Sequence, residues 1–194
     1  MRSVLLTGLV AVLYTASSFA QSSRADLFVG YSLAHANLGS GSTNLNGFAV
    51  TYTVRPRLHA QWLGIVAEMS LHFGTAPVSL IPFCVVPSCV PPNINSDVRV
   101  FNSLFGVRFS QQRDKFTPFA HALIGGSSIS ASGTGVNTGI NQSRSGLAYA
   151  VGGGIDYRPL HRFGWRVQGD FLQTHLSGNF QTDARFSTGP VIYY

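Results

Sequence analysis

The sequence predicts an all-β chain, folded as an eight-stranded antiparallel up-and-down transmembrane β-barrel. Three observations predict it. Bulky apolar and small or polar side chains alternate with a period of two in segments that recur roughly every 20 residues. The connections between those segments alternate between short and long. Charged residues make up only 10% of the chain, against about 25% in ordinary soluble domains. Lys115 is the single lysine and Glu68 the single glutamate. A protein that met water over its whole surface would use both residue types freely, so most of this surface is expected to meet something else.

Residues 1–20 read as a secretory signal peptide. Arg2 supplies the positive start, Val4 to Tyr14 the apolar stretch, and Ser18-Phe19-Ala20 a small-x-small cleavage site ahead of Gln21. Residues 21–194 are then the barrel domain. No later stretch reaches the 18 or so consecutive apolar residues of a spanning helix.

The first strand sets Leu27, Val29, Tyr31 and Leu33 against Gly30, Ser32 and Ala34. Phe48, Val50, Tyr52 and Val54 face away from Gly47, Ala49, Thr51, Thr53 and Arg55 in the second. The third, Trp62 to Phe73, opposes Leu63, Ile65, Ala67, Met69 and Leu71 to Gly64, Glu68, Ser70 and His72. The fourth opposes Phe101, Phe105, Val107 and Phe109 to Asn102, Gly106 and Arg108. The fifth, Phe116 to Ser130, leaves its facing open, because Ala120, Ala122 and Ile124 suit the outside as well as Phe119 and Leu123 do. His121 is expected to point inward. In the sixth, Leu147, Tyr149, Val151, Ile155 and Tyr157 oppose Ala148, Ala150, Gly152, Gly154 and Asp156; in the seventh, Trp165, Val167 and Phe171 oppose Arg166, Gln168 and Asp170. The last strand sets Phe186, Pro190, Ile192 and Tyr194 against Arg185, Ser187, Gly189 and Tyr193, and its aromatic end suits a membrane barrel. Short turns are expected at Pro56 to Gln61, Gln111 to Lys115 and Pro159 to Gly164, and long Gly-, Ser-, Asn- and Pro-rich loops near 38–45, 74–97, 131–144 and 176–183.

Alternation alone does not say which face is wet, since a soluble barrel shows the same period with its apolar residues inside. Side-chain size decides it. The polar set is mostly Gly, Ala, Ser and Thr with a few ionised groups, which suits a narrow lumen. The opposite phase would aim Arg55, Glu68, Arg108, Asp156, Arg166 and Asp170 at lipid, at up to about 2–4 kcal/mol for each basic residue near the midplane. Trp62, Phe109, Phe116, Tyr157, Trp165 and Tyr194 all fall near the short turns or the C-terminus and are expected to form one aromatic girdle.

With these strands, the segment Tyr149-Ala150-Val151-Gly152-Gly153-Gly154-Ile155-Asp156-Tyr157 and the following Trp165-Arg166-Val167-Gln168-Gly169-Asp170-Phe171, the chain resembles the small outer-membrane β-barrel family of the OmpA and OmpX type. The resemblance implies an outer-membrane location in a Gram-negative-type bacterium, periplasmic termini, and delivery to the barrel-assembly machinery through the C-terminal strand. It further implies a lumen ion network that plugs the barrel or rearranges to pass ions, and a structural or adhesive role through exposed loops. Outer-membrane lipid and an extracellular ligand of unknown identity are the expected partners, and the chain is expected to be a monomer. Pro190 removes one backbone donor from the closing strand, and no peptidoglycan-binding domain follows Tyr194, so no tethering role is carried over.

Arg55, Arg108, Arg166 and Arg185 share the expected interior with Glu68, Asp156 and Asp170, and buried charges persist only when paired. Asp156 and Arg166 lie on adjacent strands and are placed to meet. Cys84 and Cys89, inside the longest loop of an exported chain, are expected to form a disulfide contributing about 2 kcal/mol. His175-Leu176-Ser177, with Asp183 downstream, resembles the His-x-Ser arrangement of PagL-type lipid A deacylases, an enzymatic alternative to the non-enzymatic reading. Passage of small solutes is the other alternative. His35, His59, His72, His121 and His161 are dispersed without metal-ligand spacing, so neither a metal nor a cofactor is expected. The net charge of +6 is carried by scattered arginines rather than a patch, which argues against nucleic acid. Gly152-Gly153-Gly154 precedes no helix; it is expected to relieve crowding or let the sheet bend.

Overall fold

The computed structural model describes residues 25–37, 42–56, 62–79, 93–113, 115–135, 138–176 and 179–194. The expected signal peptide, Cys84, Cys89, His59 and Ser177 lie outside them. Eight strands run in chain order: β1 (Ala25–Asn37), β2 (Ser42–Val54), β3 (Leu63–Ser79), β4 (Asn93–Ser110), β5 (Phe116–Gly135), β6 (Thr138–Tyr157), β7 (Phe163–Leu176) and β8 (Asn179–Tyr193). Each pairs antiparallel with its sequence neighbour, and β1 closes on β8. Closure gives every strand a partner on both sides, which a sheet with free edges cannot do.

Following paired residues once round the barrel leads from Ala25 through Val54, Ile65, Val107, Ala122, Val151, Phe171 and Ala184 to His35, ten residues further along β1. A stagger of that size on eight strands tilts them by about 40° to the axis. The period-two pattern then becomes an inside and an outside. Phe105, Val151 and Phe171 are 63%, 62% and 70% exposed, whereas Glu68, Arg108, Asp156 and Arg166 are fully buried. Strand β5 resolves with His121, Phe119 and Leu123 inward and Ala120, Ala122 and Ile124 outward.

Within the loops expected at 38–45, 74–97, 131–144 and 176–183, residues 42–45, 74–79, 93–97, 131–135, 138–144, 176 and 179–183 are strand. Serine and glycine weaken strand propensity, but a hairpin that keeps its register still pairs the backbone N–H and C=O groups that face across it, so pairing continues past the composition change. The β5–β6 ladder runs unbroken to Gly135 opposite Thr138.

Pro190 does interrupt the seam. The β1–β8 ladder pairs Phe28 with Val191 and Tyr31 with Thr188, in the same register on both sides of a gap at Val29 and Gly30. Two glycines close that gap. A Cβ on Gly189 would sit 2.5 Å from the Gly30 Cα, and one on Gly30 would sit 2.6 Å from the Thr188 carbonyl oxygen. Backbones this close leave no room for side chains, so the strands stay in contact where the missing donor would have bonded.

Candidate functional site: a layered, ion-paired lumen

Two ionic layers are stacked inside the barrel. Nearest the short turns, Asp26 accepts from Arg55 Nη2 and Arg166 Nη2, each at 2.8 Å, and from Arg108 Nη1 at 3.4 Å. Asp156 accepts from Arg108 Nη2 at 2.8 Å, Arg166 Nε at 2.6 Å and Arg166 Nη2 at 2.9 Å, and from the Tyr193 hydroxyl at 3.2 Å. Three guanidiniums thus share two carboxylates. Aromatic faces hold the excess positive charge: Arg108 lies 3.6 Å from the Phe119 ring centroid, and Arg166 lies 5.0 Å from Phe119 and 5.3 Å from Phe28.

The second layer is centred on Arg185. Its Nη2 bridges Glu68 Oε1 at 2.5 Å and Asp170 Oδ2 at 2.7 Å, while Nη1 donates to Ser70 Oγ at 3.1 Å. His121 Nε2 lies 2.7 Å from Asp170 Oδ1, and Thr51 donates to Glu68 at 3.3 Å. One inward glycine is dictated by this layer. A Cβ on Gly152 would fall 2.1 Å from Asp170 Oδ1, so the residue leaves room for the carboxylate that His121 and Arg185 share.

Apolar groups fill the remaining space. Val66, Leu104, Leu123, Ala148, Ala150 and Leu172 form one cluster, and Ala34, Ala36, Leu45, Val98 and Val100, with Ile129 against them, form another toward the long-loop end. The interior therefore holds apolar clusters beside its ionic groups, with Leu104 opposite Glu68 in register.

Every lumen residue singled out from the sequence points inward: Arg55, Glu68, Arg108, Asp156, Arg166, Asp170 and Arg185. They divide between the two layers rather than forming one network. Asp26 was missed, although it accepts from three arginines; it shares the parity of Gly30 and Ser32 and lies one residue before the strand start taken from the apolar pattern. Phe28, Phe119 and Tyr193 were missed as charge partners because a pattern reads aromatics only as bulk. His175 sits near the top of β7 with Phe180 as its register partner, and Ser177 is outside the described residues.

On the exterior, Trp62 stacks on Phe109 with centroids 5.6 Å apart, and Phe116 lies 5.1 Å from Tyr157. Tyr157 pairs with Trp165, whose Nε1 donates to Thr188 at 2.9 Å, and the Tyr194 N–H donates to the Ala25 carbonyl at 2.9 Å. Phe101 and Tyr149 stand eight residues farther along β4 and β6 than Phe109 and Tyr157. At about 3.3 Å per residue and a tilt of about 40°, the two aromatic levels are roughly 20 Å apart, comparable to the ~25 Å apolar band of a membrane barrel.

A closed eight-stranded barrel with apolar side chains outside and paired charges inside has the fold of the small outer-membrane β-barrels. No protein-family model matches the chain, and no curated protein matches it. Among solved structures it is similar to Ail, the attachment invasion locus protein of Yersinia pestis, crystallised with the heparin analogue sucrose octasulfate: 15% identity, 90% of this chain and 100% of that one, TM-score 0.61. Neisserial surface protein A matches with 10% identity over 88% of this chain and 97% of that one, TM-score 0.61. OprG from Pseudomonas aeruginosa matches with 9% identity over 90% and 97%, TM-score 0.54.

Proposed function

We propose that the chain is an integral barrel of the outer membrane of a Gram-negative-type bacterium, with both termini periplasmic. It acts as a monomer in a structural or surface-contact role, carried by the strand extensions and loops at its long-loop end. The observation that carries this reading is the exposed apolar band between two aromatic levels, wrapped around a lumen whose ionised groups are paired. Water would solvate that exterior poorly, whereas hydrocarbon solvates it well.

A spanning strand needs about 9–11 residues, and β5 and β6 have 20 each. Their surplus is an arm rich in Ser and Gly that rises past Phe101 and Tyr149, with β4 still laddered onto β5 as far as Ser96 opposite Gly133. Such an arm offers backbone and hydroxyl groups in fixed positions to an extracellular ligand, and the attachment role in the name of Ail supports a contact function. Outer-membrane lipid covers the band, and the C-terminal strand, ending in Tyr194, is the segment offered to the assembly machinery. Nitroxides at Val50, Val151 and Val167 test the reading: they should be shielded from aqueous quenchers and relaxed by lipid-soluble oxygen. The opposite pattern would reverse the inside and outside of the barrel.

No reaction is assigned to His175 and Ser177, and labelled lipid A incubated with the purified protein should release no acyl chain. Solute passage is likewise not assigned, because apolar clusters lie along the axis as well as ion pairs. In planar bilayers the protein should be electrically silent, and Arg166→Ala and Glu68→Ala should leave conductance unchanged. Open-channel steps that change with either substitution would make the ionic layers a gate.

A further inference from the structure

We propose that the short-turn end of the barrel binds the headgroups of anionic phospholipids. The inference rests on the membrane reading above and adds a lipid class and one leaflet to it. Charge is unevenly divided between the two ends. In the described residues of the turn end, Arg113, Lys115 and Arg162 are exposed and Arg158 is half-buried, while the carboxylates there, Asp26 and Asp156, are buried in ion pairs. In the sequence, Arg57 follows β2, and Asp114 lies between Arg113 and Lys115. At the other end, Arg99 and Arg144 are exposed together with Asp97, and Asp183 lines the interior beside Arg185.

The cations stand beside the lower aromatic level. Arg113 and Phe116 exchange backbone hydrogen bonds, the Arg158 N–H donates to the Lys115 carbonyl, and the Tyr193 N–H donates to the Arg162 carbonyl. At the mouth of the lumen, between the second and third turns, lies a cleft of about 330 Å³ lined by Gln112, Thr117, Arg158, Pro159, Leu160 and His161, with Thr117 facing inward. Arg158 is fixed at its rim: its guanidinium lies 4.4 Å from the Tyr193 ring centroid and donates to the His161 carbonyl. Leu160, 62% exposed at the turn tip, has no reason to face bulk water. Exposed Arg113, Lys115 and Arg162, with the apolar tip at Leu160, stand at the level of the lower aromatics, where the phosphodiester and glycerol of a lipid lie. Cations set against interfacial aromatics, with no exposed side-chain carboxylate among the described residues of this end, favour net-negative headgroups over zwitterionic ones.

The mature protein in phosphatidylcholine vesicles, probed with spin-labelled phosphatidylglycerol and phosphatidylcholine, tests this. Phosphatidylglycerol should be preferred at the barrel surface by at least roughly threefold, as expected for a few basic residues near a bilayer surface. The preference should fall to parity in Arg113→Gln/Lys115→Gln/Arg158→Gln/Arg162→Gln, and in about 1 M salt, where the screening length is about 3 Å. It should survive Arg99→Gln/Arg144→Gln and millimolar inorganic phosphate. Heat-modifiability on a gel checks that each variant is a closed barrel, and the salt arm needs no variant. Equal preference for the two lipids, loss in the opposite-end variant, or displacement by free phosphate would overturn the proposal while leaving the membrane reading intact. Failure of the wild-type protein to enter vesicles would overturn both.

Discussion

Asp26→Ala should destabilise the folded barrel by about 3–5 kcal/mol, the range for removing one partner of a buried ion pair. Asp26 is fully buried and is the sole carboxylate bonded to Arg55 among the described contacts, besides accepting from Arg108 and Arg166. Its loss would leave Arg55 without a carboxylate and Arg108 and Arg166 sharing Asp156. Phe28 and Phe119 would absorb part of that charge, but a ring face replaces only a fraction of a carboxylate. Urea titration of the detergent-folded protein, followed by tryptophan fluorescence and by the gel shift between folded and unfolded forms, gives the number. Adding Arg55→Leu to Asp26→Ala should recover part of the loss, because the second change removes the charge the first has stranded. A single-variant cost below about 1 kcal/mol would mean that water reaches these arginines and that the layer is not structural.

Val151→Arg should cost about 1–3 kcal/mol in a bilayer, between the roughly 2–4 kcal/mol of a basic residue at the midplane of a membrane barrel and the roughly 0–1 kcal/mol near its interfaces. Val151 is exposed on β6, between the aromatic levels marked by Tyr149 and Tyr157. The same guanidinium at Ser132, on the β5 arm beyond the upper level, should cost within about 0.5 kcal/mol, as surface changes usually do. Reversible unfolding from lipid vesicles compares the two sites. If Val151→Arg were as mild as Ser132→Arg, the exposed band would not be meeting hydrocarbon.

The two predictions draw on different parts of what a reader of the sequence can see. That Val151 faces outward follows from period-two alternation along a single strand, and the same rule sends Arg108, Asp156 and Arg166 to the lumen. Where alternation is weak, as in β5 with its run of Ala, His and Leu, it leaves the facing open. The strand ends also escaped it. Serine- and glycine-rich stretches read as loops, yet they continue the ladders, because what holds a residue in a hairpin arm is the partner across from it.

Strand number, antiparallel order, the facing of seven strands and the burial of the charged set are local properties, written in neighbouring residues and readable from the sequence alone. Which charges meet was decided only by the tertiary structure. Arg185 reaches both Glu68 and Asp170, and Asp26 reaches Arg108 and Arg166, across a lumen closed with a stagger of ten residues. That stagger sums eight registers and belongs to no single segment, and the glycine contact that holds the seam opposite Pro190 exists only once the first and last strands lie side by side.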